Sequence, residues 1–154
     1  MAPQAAASRR CRSDPARAVF LLDTSVVWEL RRARPHGAVL AWVRRQDDAT
    51  LFLSAVTLGE IQAGIELTRD QNPARAADLE EWLAQVADSF NILPMDAAAF
   101  RAWGRLMHHR QERLIEDAMI AATALVHGLT VVTRNLRDFQ PFGVALLDPF
   151  AAGT

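Results

Sequence analysis

An uninterrupted apolar run, residues 19–22, ends on Asp23 and constrains the fold more than any other stretch of this chain. A strand that is apolar on both faces is typical of a parallel sheet covered by helices on both sides. Two hydroxyl residues, Thr24 and Ser25, follow at once and suit the N-terminus of a helix. Because ligands of such sheets bind beyond the carboxyl ends of the strands, Asp23 is predicted to lie where a site is built.

Segments with strand and helix patterns alternate along the rest of the chain. Strands are predicted at residues 50–54, 90–93, 129–133 and 144–147, helices at 24–32, 36–45, 56–68, 74–87, 96–109 and 115–127, and a loop at 134–143. The alternation favours right-handed crossovers and predicts an α/β fold, with a central parallel sheet of four to five strands between helical layers. No repeat or linker divides the chain, so we expect one domain over residues 18–150, a disordered N-terminal tail over 1–17 and a short C-terminal tail over 151–154.

The composition excludes several classes of protein. The 154 residues carry 17 basic and 18 acidic side chains, so no global basic excess marks a nucleic-acid binder. Every basic residue is Arg, and without Lys neither a P-loop nor Schiff-base catalysis is available. The single Cys11 excludes a disulfide scaffold. With no apolar run of roughly 18 residues and no signal sequence, we expect a cytoplasmic protein that does not enter a membrane.

Carboxylates follow the predicted strands at positions that can converge. Asp23 ends the first strand, Glu60 lies on the helix after the second, and Asp117 lies in the first turn of the helix before the fourth. Asn135 and Asp138 follow the fourth strand. Oxygen ligands suit Mg²⁺, and one or two such ions can activate a water for phosphodiester cleavage.

Each acid also has a purely structural explanation. Asp23 has about even odds of being only the cap of the following helix. Glu60 lies off the apolar stripe of its helix, which is typical of a solvated residue. Asp117 shares a face with small apolar residues, where it needs a partner, and the helix N-terminus or Arg113 one turn back would supply one.

Three further acids are weaker candidates for the site. Glu116 points about a quarter-turn away from Asp117. Asp138 lies in an Arg-Asp-Phe turn, where such a residue is more often on the surface. Asp96 is expected to cap a helix.

Four motifs together resemble those of bacterial PIN-domain proteins, most closely the VapC and FitB-like toxins of toxin–antitoxin pairs. The motifs are Asp-Thr-Ser-Val at 23–26, Ser-Ala-Val-Thr-Leu-Gly-Glu-Ile at 54–61, Glu-Asp-Ala-Met-Ile-Ala-Ala-Thr-Ala-Leu at 116–125 and Val-Val-Thr-Arg-Asn-Leu-Arg-Asp-Phe at 131–139. Each motif alone is weak, but their order is specific, and the resemblance spans about residues 19–150.

The resemblance implies a three-layer α/β/α PIN-like fold and a Mg²⁺- or Mn²⁺-dependent endoribonuclease. It also implies a small cognate antitoxin and a homodimer. Asp23, Glu60 and Asp117 match the acidic metal-site positions of the family, and Thr133 matches its hydroxyl position. Asn135 stands where many relatives have a fourth acid, so Asp138 is a candidate to compensate, or the second ion is held weakly.

The mechanism we hypothesise holds one or two ions on these acids, and a metal-activated water attacks the RNA phosphorus in line. With no Lys, phosphate positioning would fall to arginines near this edge: Arg31, Arg32, Arg110, Arg113, Arg134 and Arg137. An RNA with an exposed single-stranded loop is the expected substrate. The segment 108–114 departs from the Gly-containing loop of many relatives and leaves substrate choice open.

Two other functions stay open at the level of sequence. In the first, Asn135 signals lost catalysis and the chain is a PIN-like module that binds protein or RNA. In the second, Asp23 is the nucleophile of a phosphoaspartyl enzyme, although Ser25 stands where one such class has a second Asp. Trp28 or Trp42 could receive an antitoxin segment, but core packing is the default for each.

Overall fold

The computed structural model describes residues 17–151, which contain a five-stranded parallel sheet. The strands are β1 (Phe20–Leu22), β2 (Leu51–Ser54), β3 (Asn91–Leu93), β4 (Thr130–Val132) and β5 (Leu146–Leu147). Their order is β3-β2-β1-β4-β5, so β1 lies at the centre and the strand order reverses beside it. This topology confirms the predicted α/β fold and places the end of β1 at the sheet's switch point.

Seven helices flank this sheet within residues 17–151. They are α1 (Thr24–Arg31), α2 (Gly37–Arg45), α3 (Ala55–Gln71), α4 (Pro73–Ser89), α5 (Ala97–Leu106), α6 (Ile115–His127) and α7 (Leu136–Phe139). Three short 3-10 turns join them, at Asp48–Thr50, Glu112–Leu114 and Gln140–Phe142.

The apolar run that suggested a buried strand is indeed covered on both faces. Leu21 and Leu22 are fully buried, and they face opposite sides of the sheet. Leu22 belongs to a core with α1, α3 and α4, whereas Leu21 belongs to a second core with α6 and the segment after β4. The two cores make the three layers of the fold and hold the end of β1 rigidly.

Two predicted helix ends differ from the structure by three residues, and the predicted end of α6 agrees with it. Helix α3 continues to Gln71, and Asn72 then ends it and caps α4 by accepting a hydrogen bond from the Arg75 N–H at 3.1 Å. Helix α5 ends at Leu106 rather than 109, because His109 takes a left-handed backbone with φ 61°. Gly128, predicted to end α6, does so with φ 67°.

The predicted loop at 134–143 is wrong in part. It contains α7 and a 3-10 turn, and Phe139 and Phe142 on these turns are buried in the core with α6. Tertiary burial of two aromatic rings, rather than helix propensity, accounts for this ordered structure.

The tail boundaries and Cys11 lie largely outside the described residues. Arg17, assigned to the tail, forms an ion pair with Asp47. Within residues 17–151, no helix is both long and apolar enough to cross a bilayer.

Candidate active site

Asp23 is buried at the end of β1 and accepts three hydrogen bonds. Its Oδ1 accepts from the Thr24 N–H at 2.8 Å, and its Oδ2 accepts from the hydroxyls of Ser25 and Thr133, each at 2.8 Å. Asp23 is therefore the N-cap of α1, which confirms the capping role that the sequence offered for Asp23 and not the one it offered for Thr24 or Ser25. The capping bond uses only Oδ1 of Asp23. A role as helix cap therefore does not explain why two hydroxyl groups also donate to Oδ2.

Thr133 links this acid to the neighbouring strand. Its side chain is fully buried, donates to Asp23 and accepts from the Asn135 N–H at 2.9 Å. The side chain of Asn135 makes no capping bond to α7. Asn135 thus supports Thr133 through its backbone.

Glu60 is half-buried on α3 and faces the start of α1. Its Oε1 accepts from the Thr24 hydroxyl at 2.9 Å, and the Thr24 and Thr57 hydroxyls lie 3.0 Å apart. Burial, which outweighs the Thr24 hydrogen bond, together with the charges of Asp23 and Glu116 raises the pKa of Glu60. Glu60 is therefore not the freely solvated residue that its helix position suggested.

Asp117 is half-buried in the first turn of α6, beside the fully buried face that the sequence predicted. Burial of the carboxyl, with the charge of Asp23 next in size, raises the pKa of Asp117 to about 7. Smaller effects come from the charges of Asp138, Glu60 and Glu116. Three of these acids, Asp23, Glu60 and Asp138, come from other parts of the chain, and Glu116 is the neighbour of Asp117 in the sequence. The charges of acids on three other elements thus act on one carboxyl group at this edge of the sheet.

Of the two partners predicted for Asp117, the N-terminus of α6 lies beside it, since Asp117 is in the first turn, but Arg113 is engaged elsewhere. Arg113 pairs with Asp138, with 3.0 Å between Nη1 and Oδ1, so the proposed Arg113–Asp117 neutralisation is wrong. Glu116 is exposed, as its position on the helix indicated. Asp96 accepts from the Ala99 N–H at 2.9 Å and caps α5, as expected.

The acid cluster suits a hydrated divalent cation rather than a closed protein cage. Within residues 17–151, no three Asp, Glu, His or Cys side chains are arranged as a ready-made metal site. Mg²⁺, however, keeps several waters and is usually held by one or two carboxylates together with substrate phosphates. Burial, together with the charges of neighbouring acids, raises the pKa values of Glu60 and Asp117, and carboxylate oxygens grouped in this way are the donors that such an ion takes.

Most arginines predicted to contact RNA are engaged within the chain. Arg31 lies over the Trp82 ring at 5.8 Å, Arg32 pairs with Glu29 at 3.3 Å, Arg110 donates to the Pro141 carbonyl at 3.2 Å, Arg113 pairs with Asp138, and Arg134 lies over the Phe150 ring at 4.6 Å. Arg137 is exposed and forms no ion pair among residues 17–151. Five of the six arginines predicted to position phosphate groups therefore already make a contact within the chain, and Arg137 is the exception among the described residues.

Three hydroxyl groups of the site were missed by sequence reasoning. Ser25 and Thr24 were assigned only to helix capping, and Thr57 was not singled out. A usable signal was present for two of them, since hydroxyl residues directly after a strand-ending Asp can reach its carboxylate. Thr57 carries no such signal, because its contact with Thr24 joins two helices.

The comparison with protein families agrees with this geometry. A family model described as PIN domain matches residues 20–142, which include every acid of the cluster. The chain therefore belongs to the PIN-domain family.

Within that family, the chain is similar to toxin components. It is 34% identical over 137 residues to the VapC ribonuclease Y4jK of Sinorhizobium fredii, covering 86% of this chain and 98% of that protein. It is 33% identical over 139 residues to the toxin FitB of Neisseria gonorrhoeae, covering 86% and 99%. The crystal structure of FitAcB from Neisseria gonorrhoeae superposes with a TM-score of 0.76 at 33% identity, over 86% of this chain and 99% of that one.

Proposed function

We propose that this protein is a metal-dependent endoribonuclease and the toxin of a toxin–antitoxin pair. The observation that carries the proposal is the edge of the sheet where Asp23, Glu60 and Asp117 meet and the pKa of Asp117 is raised to about 7. The names of the relatives support RNA as the substrate, since they include ribonucleases of the VapC type.

Asp23, Glu60 and Asp117 would hold one or two Mg²⁺ or Mn²⁺ ions. Such an ion, when bound, lowers the pKa of a water and stabilises charge on phosphate oxygens. The protein's own contribution is orientation. Three donors fix the Asp23 carboxylate, and the Thr24 hydroxyl fixes Glu60, so neither acid needs to reorganise when a cation and RNA arrive.

The test is RNA cleavage by the purified protein with Mn²⁺, Mg²⁺ or EDTA. We expect cleavage with a divalent ion, none in EDTA, and loss of activity in Asp23→Asn. Asp88→Asn is the matched control. Asp88 is an exposed acid at the end of α4, just before β3 begins, so it lies at the amino ends of the strands, whereas the acid cluster lies at their carboxyl ends.

Equal cleavage by the wild type and Asp23→Asn would contradict the proposal. A protein that binds RNA but cleaves none under any of these conditions would instead support the alternative, a PIN-like module that acts by binding.

A cleft of about 550 Å³ is the proposed place for the antitoxin. Trp28 and Leu79 give it an apolar wall, and Arg31, Arg32 and Arg75 outnumber the one acid, Asp78. A segment with an apolar anchor and acidic side chains fits this lining. Similar chains have been solved as the complexes FitAcB and FitAB, which supports a protein partner. Trp42, the other candidate, is 5% exposed and belongs to the core.

This partner can be tested by co-expression with the small protein of the adjacent reading frame. We expect Arg75→Glu to weaken the complex at least tenfold and Arg44→Glu to leave it unchanged, because Arg44 lies on α2 outside the cleft. Equal affinities would exclude this cleft. The homodimer and the cytoplasmic location stay predictions, the first testable by sedimentation velocity.

A further inference from the structure

The C-terminal half of α5 carries exposed arginines that the acid cluster does not use. Arg101, Gly104, Arg105 and His108 line a shallow depression of about 450 Å³, and none of these lining residues is acidic. Neither arginine forms a hydrogen bond or ion pair with another side chain in the part of the chain that the structure describes. These two charges are therefore available to a ligand, in contrast to Arg32 and Arg113.

The direction of α5 brings this depression towards the acids. Met95, just before α5, contacts the Thr123 hydroxyl in the middle of α6 at 3.3 Å. Trp103, near the other end of α5, donates to the Ile115 carbonyl at the start of α6 at 3.2 Å. Helix α5 thus runs antiparallel to α6, and its C-terminal end lies beside the turn that carries Asp117.

The connection from α5 to α6 continues along the rim of the site. Arg110 donates to the carbonyl of Pro141, and Arg113 pairs with Asp138, so both bind the segment after β4. His108 begins this connection and is exposed. Arginine and histidine side chains therefore line the surface from the middle of α5 to the edge of the acid cluster.

We infer that Arg101, Arg105 and His108 form a phosphate track that holds single-stranded RNA beside the cluster. This inference rests on the proposed ribonuclease function and extends its substrate contacts to a surface that the sequence analysis did not include. Arg101 and Arg105 are one helical turn apart, about 6 Å along the axis, which lets them contact successive phosphates. The absence of acids in the lining favours a polyanion over a mixed-charge partner.

Gly104 provides a direct probe of the track. A Cβ at this position would meet nothing within 4 Å, so a longer side chain fits without a clash. Gly104→Glu places an acid beside Arg101 and Arg105, whereas Gly104→Gln adds nearly the same volume without charge.

The experiment compares Arg101→Gln/Arg105→Gln and the two Gly104 variants with Arg44→Gln/Arg45→Gln. The Arg44/Arg45 double variant removes the same amount of charge from the end of α2. This helix ends shortly before β2 begins, at the amino ends of the strands, whereas the acid cluster lies at their carboxyl ends. Cleavage of a long single-stranded RNA gives kcat and KM at several salt concentrations. Binding of the same labelled RNA is measured in EDTA, which keeps the track testable even if the protein does not cleave.

We expect the α5 double variant to raise KM and the EDTA dissociation constant about five- to tenfold, with kcat unchanged. The slope of log Kd against log salt should fall by about 1.4, because each neutralised phosphate on a single strand contributes about 0.7. Gly104→Glu should change KM, Kd and the salt slope in the same way as the α5 double variant. Gly104→Gln and the Arg44/Arg45 double variant should give the values of the wild type.

A purely structural role for the arginines, at the C-terminal end of a helix dipole, predicts a lower unfolding temperature with unchanged Kd and salt slope. That result would overturn the track. Failure of the ribonuclease proposal would show separately, as absence of metal-dependent cleavage by the wild type.

Discussion

The two acids that face each other across the site, Asp23 and Asp117, are stabilised in opposite ways. Asp23 is almost completely buried, yet three donors satisfy its carboxylate. Asp117 is only half-buried, but this burial, and after it the charges of the neighbouring acids, raise the pKa of Asp117 to about 7. The two carboxyl groups therefore differ in their surroundings, since hydrogen-bond donors converge on Asp23, whereas other acids surround Asp117.

This difference indicates a division of labour within the site. On the Asp23 side, the fold itself orients the carboxylate through three hydrogen bonds. On the Asp117 side, burial and neighbouring acids disfavour the charged carboxylate, and Arg113 is paired with Asp138, so a bound cation should favour the charged form. The four predictions below test the two sides against each other, from the largest expected effect to the smallest.

Asp117→Asn should abolish most of the RNA cleavage. Loss of a group that binds the ion directly should exceed the roughly 10- to 100-fold cost of removing a second-shell partner, so we expect a fall of more than about 100-fold in kcat/KM. Asp96→Asn, which removes a carboxylate while an Asn can still cap α5, should cost far less. Similar rates for Asp117→Asn and the wild type would remove Asp117 from the proposed metal site.

Thr133→Val should lower cleavage about 10- to 100-fold, because it removes one of the two hydroxyl groups that hold Oδ2 of Asp23. The substitution keeps the shape of a fully buried side chain and removes only its hydroxyl. Thr133→Ser, which retains the donor, should recover most of the activity. Equal loss in both variants would show that the methyl group, rather than the hydrogen bond, matters.

The Asn variants of the two acids should change stability in opposite directions. Asp23→Asn directs an amide group or a weaker acceptor at three donors and should cost about 1–3 kcal/mol of the free energy of unfolding. Asp117→Asn removes a repelled charge and should raise the unfolding temperature of the metal-free protein at pH 8. Urea and thermal unfolding in EDTA measure both. If both substitutions lowered the free energy of unfolding, the proposed difference between Asp23 and Asp117 would be wrong.

The stability of the metal-free protein should fall as the pH rises from about 4 to about 7. The unfolded chain loses the Asp117 proton near pH 3.9, whereas the folded protein keeps it until the pKa of about 7. Because the folded state binds more protons in this window, rising pH favours unfolding. Glu60, whose pKa is also raised, acts in the same direction.

A divalent cation should reverse this loss, and more strongly at pH 8 than at pH 5. Unfolding temperatures in EDTA and in Mg²⁺ across this range measure the effect. Asp117→Asn should show a flatter pH dependence and a smaller gain from Mg²⁺. If the unfolding temperatures of the wild type and Asp117→Asn changed equally with pH, titratable groups other than Asp117 would be responsible for the pH dependence.

The two sides of the site also differed in how well the sequence predicted them. The Asp23 side follows from local patterns, because an apolar run that ends on an acid marks both the strand and its carboxyl end. The hydroxyl partners were harder, since Thr57 reaches Thr24 only through the packing of α3 against α1. The Arg113–Asp138 pair joins residues 25 positions apart and has no local signal.

The class of the fold, the strands and the acids that follow them could be predicted from the sequence, because burial periodicity and strand-ending residues are local properties. Tertiary packing was needed to show which arginines are engaged and that residues 134–143 form turns over a buried aromatic pair. It was also needed to show that Arg101 and Arg105 of α5, which form no ion pair within residues 17–151, lie on a helix that leads towards Asp117. Charge pairing and helix direction depend on how distant segments pack, and a linear pattern does not contain that information.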